Sequence, residues 1–204
     1  MNHLPFTLTA YFFNAISVLT SKFLLSKTIP DPLVYIFYIS LFSFLAVLGL
    51  PFTKIPTIEV FTLASLSTLA WTLGAYFMFK ALKIGQISRV IPVIGTLIPL
   101  ILLIFASGTG AISFVQAEAV LILILGMVFL TITNWQGTSS GKELLFEILS
   151  AALFAFSYII LRQAYLKLDF FSVLVWSRLI LLPLGIIMLA VPILRRKIIT
   201  STGP

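Results

Sequence analysis

The feature that most constrains this chain is a series of apolar runs, each about 20 residues long, that stop at charge, proline or glycine. The stretch 76–99 shows the pattern best. One run ends in a basic, glycine-containing turn (Lys80, Lys83, Gly85), and a second begins at once and carries Pro92 and Pro99. This predicts two membrane helices folded back on each other, the second kinked. Of the 204 residues, 60% are hydrophobic and only 9% are charged, with a mean hydropathy of +1.17. A soluble domain carries about 25% charged residues. A chain this poor in charge cannot cover a water-facing surface, so lipid is the solvent its outer face must meet. In lipid the backbone must be satisfied within helices or closed barrels. The runs do not alternate, which selects helices over barrel strands.

Seven spans are expected, near 5–25, 33–50, 60–82, 88–106, 112–133, 144–166 and 170–194, followed by Arg195, Arg196 and Lys197 and a short polar tail. At 1.5 Å per residue such runs reach roughly 28 to 37 Å, enough to cross a bilayer with some tilt. The polar segment 134–143 is the best internal boundary, so the chain divides into 1–133, the linker and 144–204. The N-terminus has no Lys/Arg region ahead of its apolar run and reads as a retained first helix, not a removed signal.

The net charge of +7 arises mostly from residues at the ends of apolar runs, where they anchor topology against anionic headgroups. No basic run with interleaved aromatics suggests a nucleic-acid groove. The absence of cysteine excludes disulfides and thiolate chemistry, and the single histidine, His3, cannot build a metal site. No cluster of catalytic residues and no phosphate loop is present, so no enzymatic activity and no cofactor are expected.

The segment after the linker repeats the start of the chain. A shift of 140 places Ala15 on Ala155, Ser17 on Ser157, Lys22 on Arg162 and Lys27 on Lys167, and a two-residue gap brings Asp31 onto Asp169. Five spans separate the copies, so the second enters the membrane from the opposite side. Inverted-topology repeats of this kind recur in secondary transporters. Here the chain resembles the EamA-like transporters of the drug/metabolite transporter superfamily. The resemblance rests on Ala81, Leu82, Lys83, Gly85 and then Pro92 and Pro99, which look like the junction of the family's third and fourth helices, and on 149–163, similar to the start of its second repeat. It implies a five-helix repeat used twice and transport of small metabolites or drugs, usually as efflux, across the cytoplasmic (plasma) membrane. The family has ten helices, and this chain supplies one repeat plus two, which is expected of a shortened form or of one relying on a homodimer or missing-repeat partner. The family's Gly-Glu pair at the fifth helix is replaced by Gly108, Thr109, Gly110 and Ala111, the nearest acid being Glu118.

Charges inside apolar runs are the sharpest functional signals, since each costs about 2.5–3.5 kcal/mol at a helix centre. Arg178 is the candidate cation for an anionic substrate, and Glu118, with Gln116 beside it, the candidate proton-coupling carboxylate. Trp71, Thr72, Tyr76 and Lys80 are candidates for lining a substrate path; Thr72, Tyr76 and Lys80 share one helix face. Asn14, mid-helix in the first span, either faces a ligand or bonds a neighbouring helix, and Ser65, Thr68 and Thr72 invite the same choice. Pro92, Gly95 and Pro99 mark the kink that alternating access would use.

Orientation is read two ways. Lys54, Arg162 and Lys167 fall on the N-terminal side, and Lys22, Lys27, Lys80, Lys83, Arg89, Lys142 and Arg195–Lys197 on the other, which places the N-terminus outside. The family resemblance implies the reverse. The expectation is therefore an all-α polytopic secondary transporter or permease of small molecules. The alternative is a non-transporting membrane subunit, such as a lipid-flippase or assembly partner.

Overall fold

The computed structural model describes residues 4–29, 31–107, 114–133 and 140–201, and these are helical with no strand among them. In chain order the helices are α1 (Leu4–Lys27), α2 (Pro32–Phe42) continued by a 3-10 stretch (Ser43–Phe52), α3 (Ile58–Ile84), α4 (Ile87–Ser107), α5 (Phe114–Thr133), α6 (Gly141–Tyr165), α7 (Phe170–Leu179), α8 (Leu181–Ala190) and α9 (Pro192–Ser201). Six are long and apolar enough to cross a membrane: α1, α2 with its 3-10 continuation, α3, α4, α6, and α7 with α8. α5, the remaining expected span, offers a shorter apolar stretch, Ala117–Phe129. Large apolar side chains such as Phe6, Phe12, Leu48, Phe129 and Ile186 stand on the outside, as they must when the surroundings are hydrocarbon. The chain is an integral membrane protein.

Local chemistry sets where the helices start and stop. Asp31 accepts the Leu33 N–H at 2.8 Å and precedes Pro32, which starts α2 with its φ already helical. Asp169 accepts both the N–H and the hydroxyl of Ser172 at 2.9 Å and starts α7. Ser140 caps α6 three residues earlier than the sequence boundary suggests, so Lys142 and Glu143, placed in the linker by composition, belong to the helix. Thr57 caps α3 in the same way.

The proline-rich α4 carries helical structure through Pro92 and Pro99, with the Thr96 hydroxyl bonded to the Pro92 carbonyl at 2.7 Å. The interruptions fall elsewhere. In the second span the α-helix gives way to the 3-10 stretch at Ser43, ahead of Pro51. The seventh span breaks at Ile180, because Pro183 lacks an N–H and crowds the carbonyl of Leu179 four residues back. That span also ends sooner than the expected 194. Val191 is pushed to an extended conformation by the following Pro192, and Arg195, Arg196 and Lys197, expected just past the last span, lie in the further helix α9.

α3 is the central helix and packs most extensively on α6. Both helices bury small residues, Ala64, Ser67, Gly74 and Ala75 on α3 and Ala151, Ala155 and Ser157 on α6, and Ser67 meets Ser157 and Gly74 meets Phe154 between them. Close backbone approach of this kind is the usual basis of helix association in lipid, where no hydrophobic force acts between helices. At Gly74 an added Cβ would sit 3.1 Å from the Phe154 ring and 3.3 Å from Leu153. α2 packs on α8 and the 3-10 stretch on α7, so the two interrupted spans lie side by side. Gly49 meets Val175 and Gly185 meets Ser40 across that seam. α1 touches α3 and is exposed along most of its length.

Polar contacts sort the two ends of the molecule. At one end Lys22 of α1 reaches the carbonyls of Leu82 and Gly85, Arg89 pairs with Glu143, and Lys197 pairs with Asp31 at 3.6 Å. At the other end the Lys54 N–H donates to the Ser172 hydroxyl at 2.9 Å, the Trp176 ring N–H donates to the Lys54 carbonyl at 3.1 Å, and Lys167 pairs with Glu59. The C-terminal part of α1 therefore lies beside the start of α6, and the end of the 3-10 stretch beside the start of α7. α1 and α6 run in opposite senses, and so do the two interrupted spans.

Candidate functional site

A polar cleft of about 270 Å³ opens between α3, α6 and α7. It forms where small side chains hold α3 and α6 together. The Ser67 and Ser157 hydroxyls lie 3.0 Å apart, Ser67 reaching the Ser157 carbonyl at 3.1 Å and Ser157 the Ser67 carbonyl at 2.9 Å. Thr68 donates to the Ser177 carbonyl at 3.2 Å and so satisfies a last-turn acceptor where α7 breaks off. That break, and the bond that holds it, set where the next side chain, Arg178, points.

Arg178 is exposed to the cleft, and its guanidinium carbon stands 5.3 Å from the centre of the Trp71 ring. It also lines a second, larger groove of about 700 Å³, walled by Leu24, Ile29, Tyr35, Tyr38 and Phe42. Arg178 thus stands between a polar slot and an apolar groove. Among the described residues it forms no ion pair. It lies roughly 12 Å into a span of 21 residues, Phe170–Ala190. A cation at this depth costs about 2.5–3.5 kcal/mol, whereas cation–π contact with one ring returns about 0.5–2 kcal/mol. Among the described residues no acidic side chain offsets the remainder of that cost.

Of the residues singled out in the sequence, the structure brings Trp71 and Arg178 together. Thr72 is buried on α3 and donates to the Thr68 carbonyl at 2.7 Å. Tyr76 and Lys80 form a separate group one to two turns along α3, where the Lys80 ammonium lies 4.6 Å from the Tyr76 ring centre and 5.1 Å from that of Phe146. Asn14 is exposed on α1, and Glu118 is exposed on α5. Gly95 sits against the Met127 side chain, within packing distance of α5, and Pro92 and Pro99 lie inside α4. His3, Gly108 to Ala111 and 134–139 lie outside the described residues, as does the Gln116 side chain.

Sequence reasoning missed a second group of charges at the end that holds the α3–α4 turn. Arg89 makes a bidentate pair with Glu143, through Nε at 2.9 Å and Nη2 at 2.7 Å to Oε1, with Nη2 also 2.7 Å from Oε2. Arg89 is 7% exposed and Glu143 2%. Gly85 makes room for the pair, since a Cβ there would fall 2.2 Å from Glu143 Oε1. Lys22 binds the carbonyls that end α3, a favourable place for a cation. Glu147, one turn past Glu143, is 2% exposed, and its Oε1 has no hydrogen-bond partner. The signal was present in the sequence: Glu143, Glu147 and Ser150 share one face of α6, and Glu147 falls inside the sixth apolar run.

No family model, no curated protein and no solved structure matches the chain.

Proposed function

We propose that the chain is a secondary transporter of the EamA type, moving small organic anions across the plasma membrane by alternating access, with Arg178 as the anion-binding group. The observation that carries this reading is the Arg178–Trp71 pair in a polar cleft within the membrane, with no acidic partner among the described residues. A planar guanidinium beside an indole suits a carboxylate attached to a flat or apolar body.

The two-copy plan belongs to the same reading. It is supported by the opposite senses of α1 and α6, by Asp31 and Asp169 each starting the next helix, and by the interrupted spans that follow and pack against one another. Broken helices beside a cavity are where transporters of the inverted-repeat kind bind substrate.

The test is uptake into proteoliposomes containing the purified chain, with radiolabelled benzoate, succinate and glutamate as probes. Saturable uptake of at least one probe is expected, and Arg178→Ala should lower it by about tenfold or more, the loss of one charge-assisted contact worth about 1.5–3 kcal/mol. Uptake no greater than in empty liposomes, or uptake unchanged in Arg178→Ala, would count against the reading.

A further inference from the structure

We propose that Glu147 is a proton-binding site, and that proton loading there accompanies anion movement through the cleft. The second clause rests on the transport reading; the first stands on its own. Glu147 is buried, and Oε1 finds no donor. One turn deeper on the same face, Ser150 is fully buried and its hydroxyl also has no partner. Every cation near this group is committed elsewhere. Arg89 of α4 is held by both oxygens of Glu143, and Lys22 of α1 is held by the Leu82 and Gly85 carbonyls. On α3, Lys80 lies over the Tyr76 and Phe146 rings and Lys83 is exposed, and Lys142 of α6 is exposed too. The charges nearest Glu147 are the Glu143 carboxylate and the Arg89 guanidinium that Glu143 holds.

The side chain is buried, its Oε1 meets no donor, and the nearest guanidinium is already held by the neighbouring carboxylate. With a proton taken from bulk water, the group becomes neutral and gains an O–H to donate. When this end of the molecule opens to water, the proton returns to water and the charge reappears. Glu147 and the cleft lie on the same helix. Glu147 is roughly 15 Å along α6 from Ser157, with Phe154 between them stacked on Tyr158 and against Trp71. One rigid helix therefore joins the proton site to the anion site. A monoanion entering with a proton crosses without net charge.

The deciding experiment titrates the purified protein in unbuffered detergent solution with a pH-indicator dye, over roughly pH 5–9. Wild type should exchange one more proton per chain than Glu147→Gln, and Glu118→Gln should match wild type. In proteoliposomes loaded with the best probe of the carboxylate panel, Glu147→Gln should lose acceleration of uptake by a pH gradient yet keep probe-for-probe exchange. If no form takes up any probe, the transport reading fails while the titration still decides the proton site. Should Glu147→Gln not fold, the infrared band of a protonated carboxyl decides: it should be present in wild type, vanish at high pH and shift in Glu147→Asp. Equal titration of wild type and Glu147→Gln, disappearance of the extra proton in Glu118→Gln, or a response to sodium at fixed pH would each overturn the proposal.

Discussion

At the residue scale the molecule separates charges that are satisfied from charges that are not. Arg89 and Glu143 are satisfied, buried and bidentate. Taking two ions out of water is costly, and the attraction between them repays that only while both are present. Glu143→Gln is therefore expected to destabilise the fold by about 3–5 kcal/mol, since it leaves a guanidinium buried without its charge partner. Replacing both residues, as Arg89→Met with Glu143→Leu, should recover most of the loss. Thermal unfolding in detergent checks both, and equal damage from the single and double changes would show that the pair is not the cause. Arg178 is the opposite case, a cation that lines an open cleft and has no acidic partner among the described residues.

Asp169 belongs at the same scale. The Ser172 backbone N–H, then the Ser172 hydroxyl, and more weakly Lys54, hold its carboxyl below the ordinary aspartate value. Because the folded value is the lower one, the stabilisation is complete above the ordinary aspartate range and disappears as pH falls through the folded value. Asp169→Asn should therefore lower the melting temperature at neutral pH, and the gap from wild type should close in acid. A gap independent of pH would mean that the cap acts without its charge.

At the element scale, glycine and proline set how closely helices approach and where they stop. Gly85 has an ordinary extended backbone, so its importance is space, not conformation. A methyl group there would lie 2.7 Å from both the Glu143 carboxyl carbon and the Val90 side chain. Gly85→Ala is expected to cost about 1–3 kcal/mol, as overpacking does, and to displace Glu143 from Arg89. Gly141→Ala has open space at its Cβ and should be close to neutral. Comparing their melting temperatures checks the argument. Much of the element scale was legible beforehand: the apolar runs, Asp31 before Pro32, and the turn at Gly85. The start of α6 was not. Lys142 and Glu143 read as linker by composition, and only the Ser140 cap and the partner on α4 show why two charges sit in its first turn. The break at Ile180 was also missed, because Pro183 acts on a carbonyl four residues upstream and leaves no mark at the break itself.

At the scale of the whole molecule, the contacts that sort its ends also sort its basic residues. Lys22, Arg89, Lys142 and Lys197 gather at one end, Lys54 and Lys167 at the other. The richer end is expected to face the cytoplasm. The chain has no cysteine, so single cysteines can be introduced without background. A membrane-impermeant maleimide should label Thr53→Cys in intact cells and Lys27→Cys only after permeabilisation. Labelling of both from the same side would contradict the antiparallel arrangement of the spans, and the reverse pattern would invert the orientation.

By itself the sequence determined the solvent, the helical class and the approximate spans. Each follows from composition and spacing along a short stretch, since a run of about 20 apolar residues has no other stable home. It also picked out Trp71 and Arg178 singly, because a cation in an apolar run is conspicuous without knowledge of its neighbours. What the tertiary structure decided was company. Trp71 and Arg178 meet although 107 positions apart (178 − 71), Arg89 and Glu143 although 54 apart, and Glu147 Oε1 is left without a donor while the nearest guanidinium is held by Glu143. Partnership of that kind depends on how close helices come and which faces they turn to one another, and neither is written into any one stretch of chain.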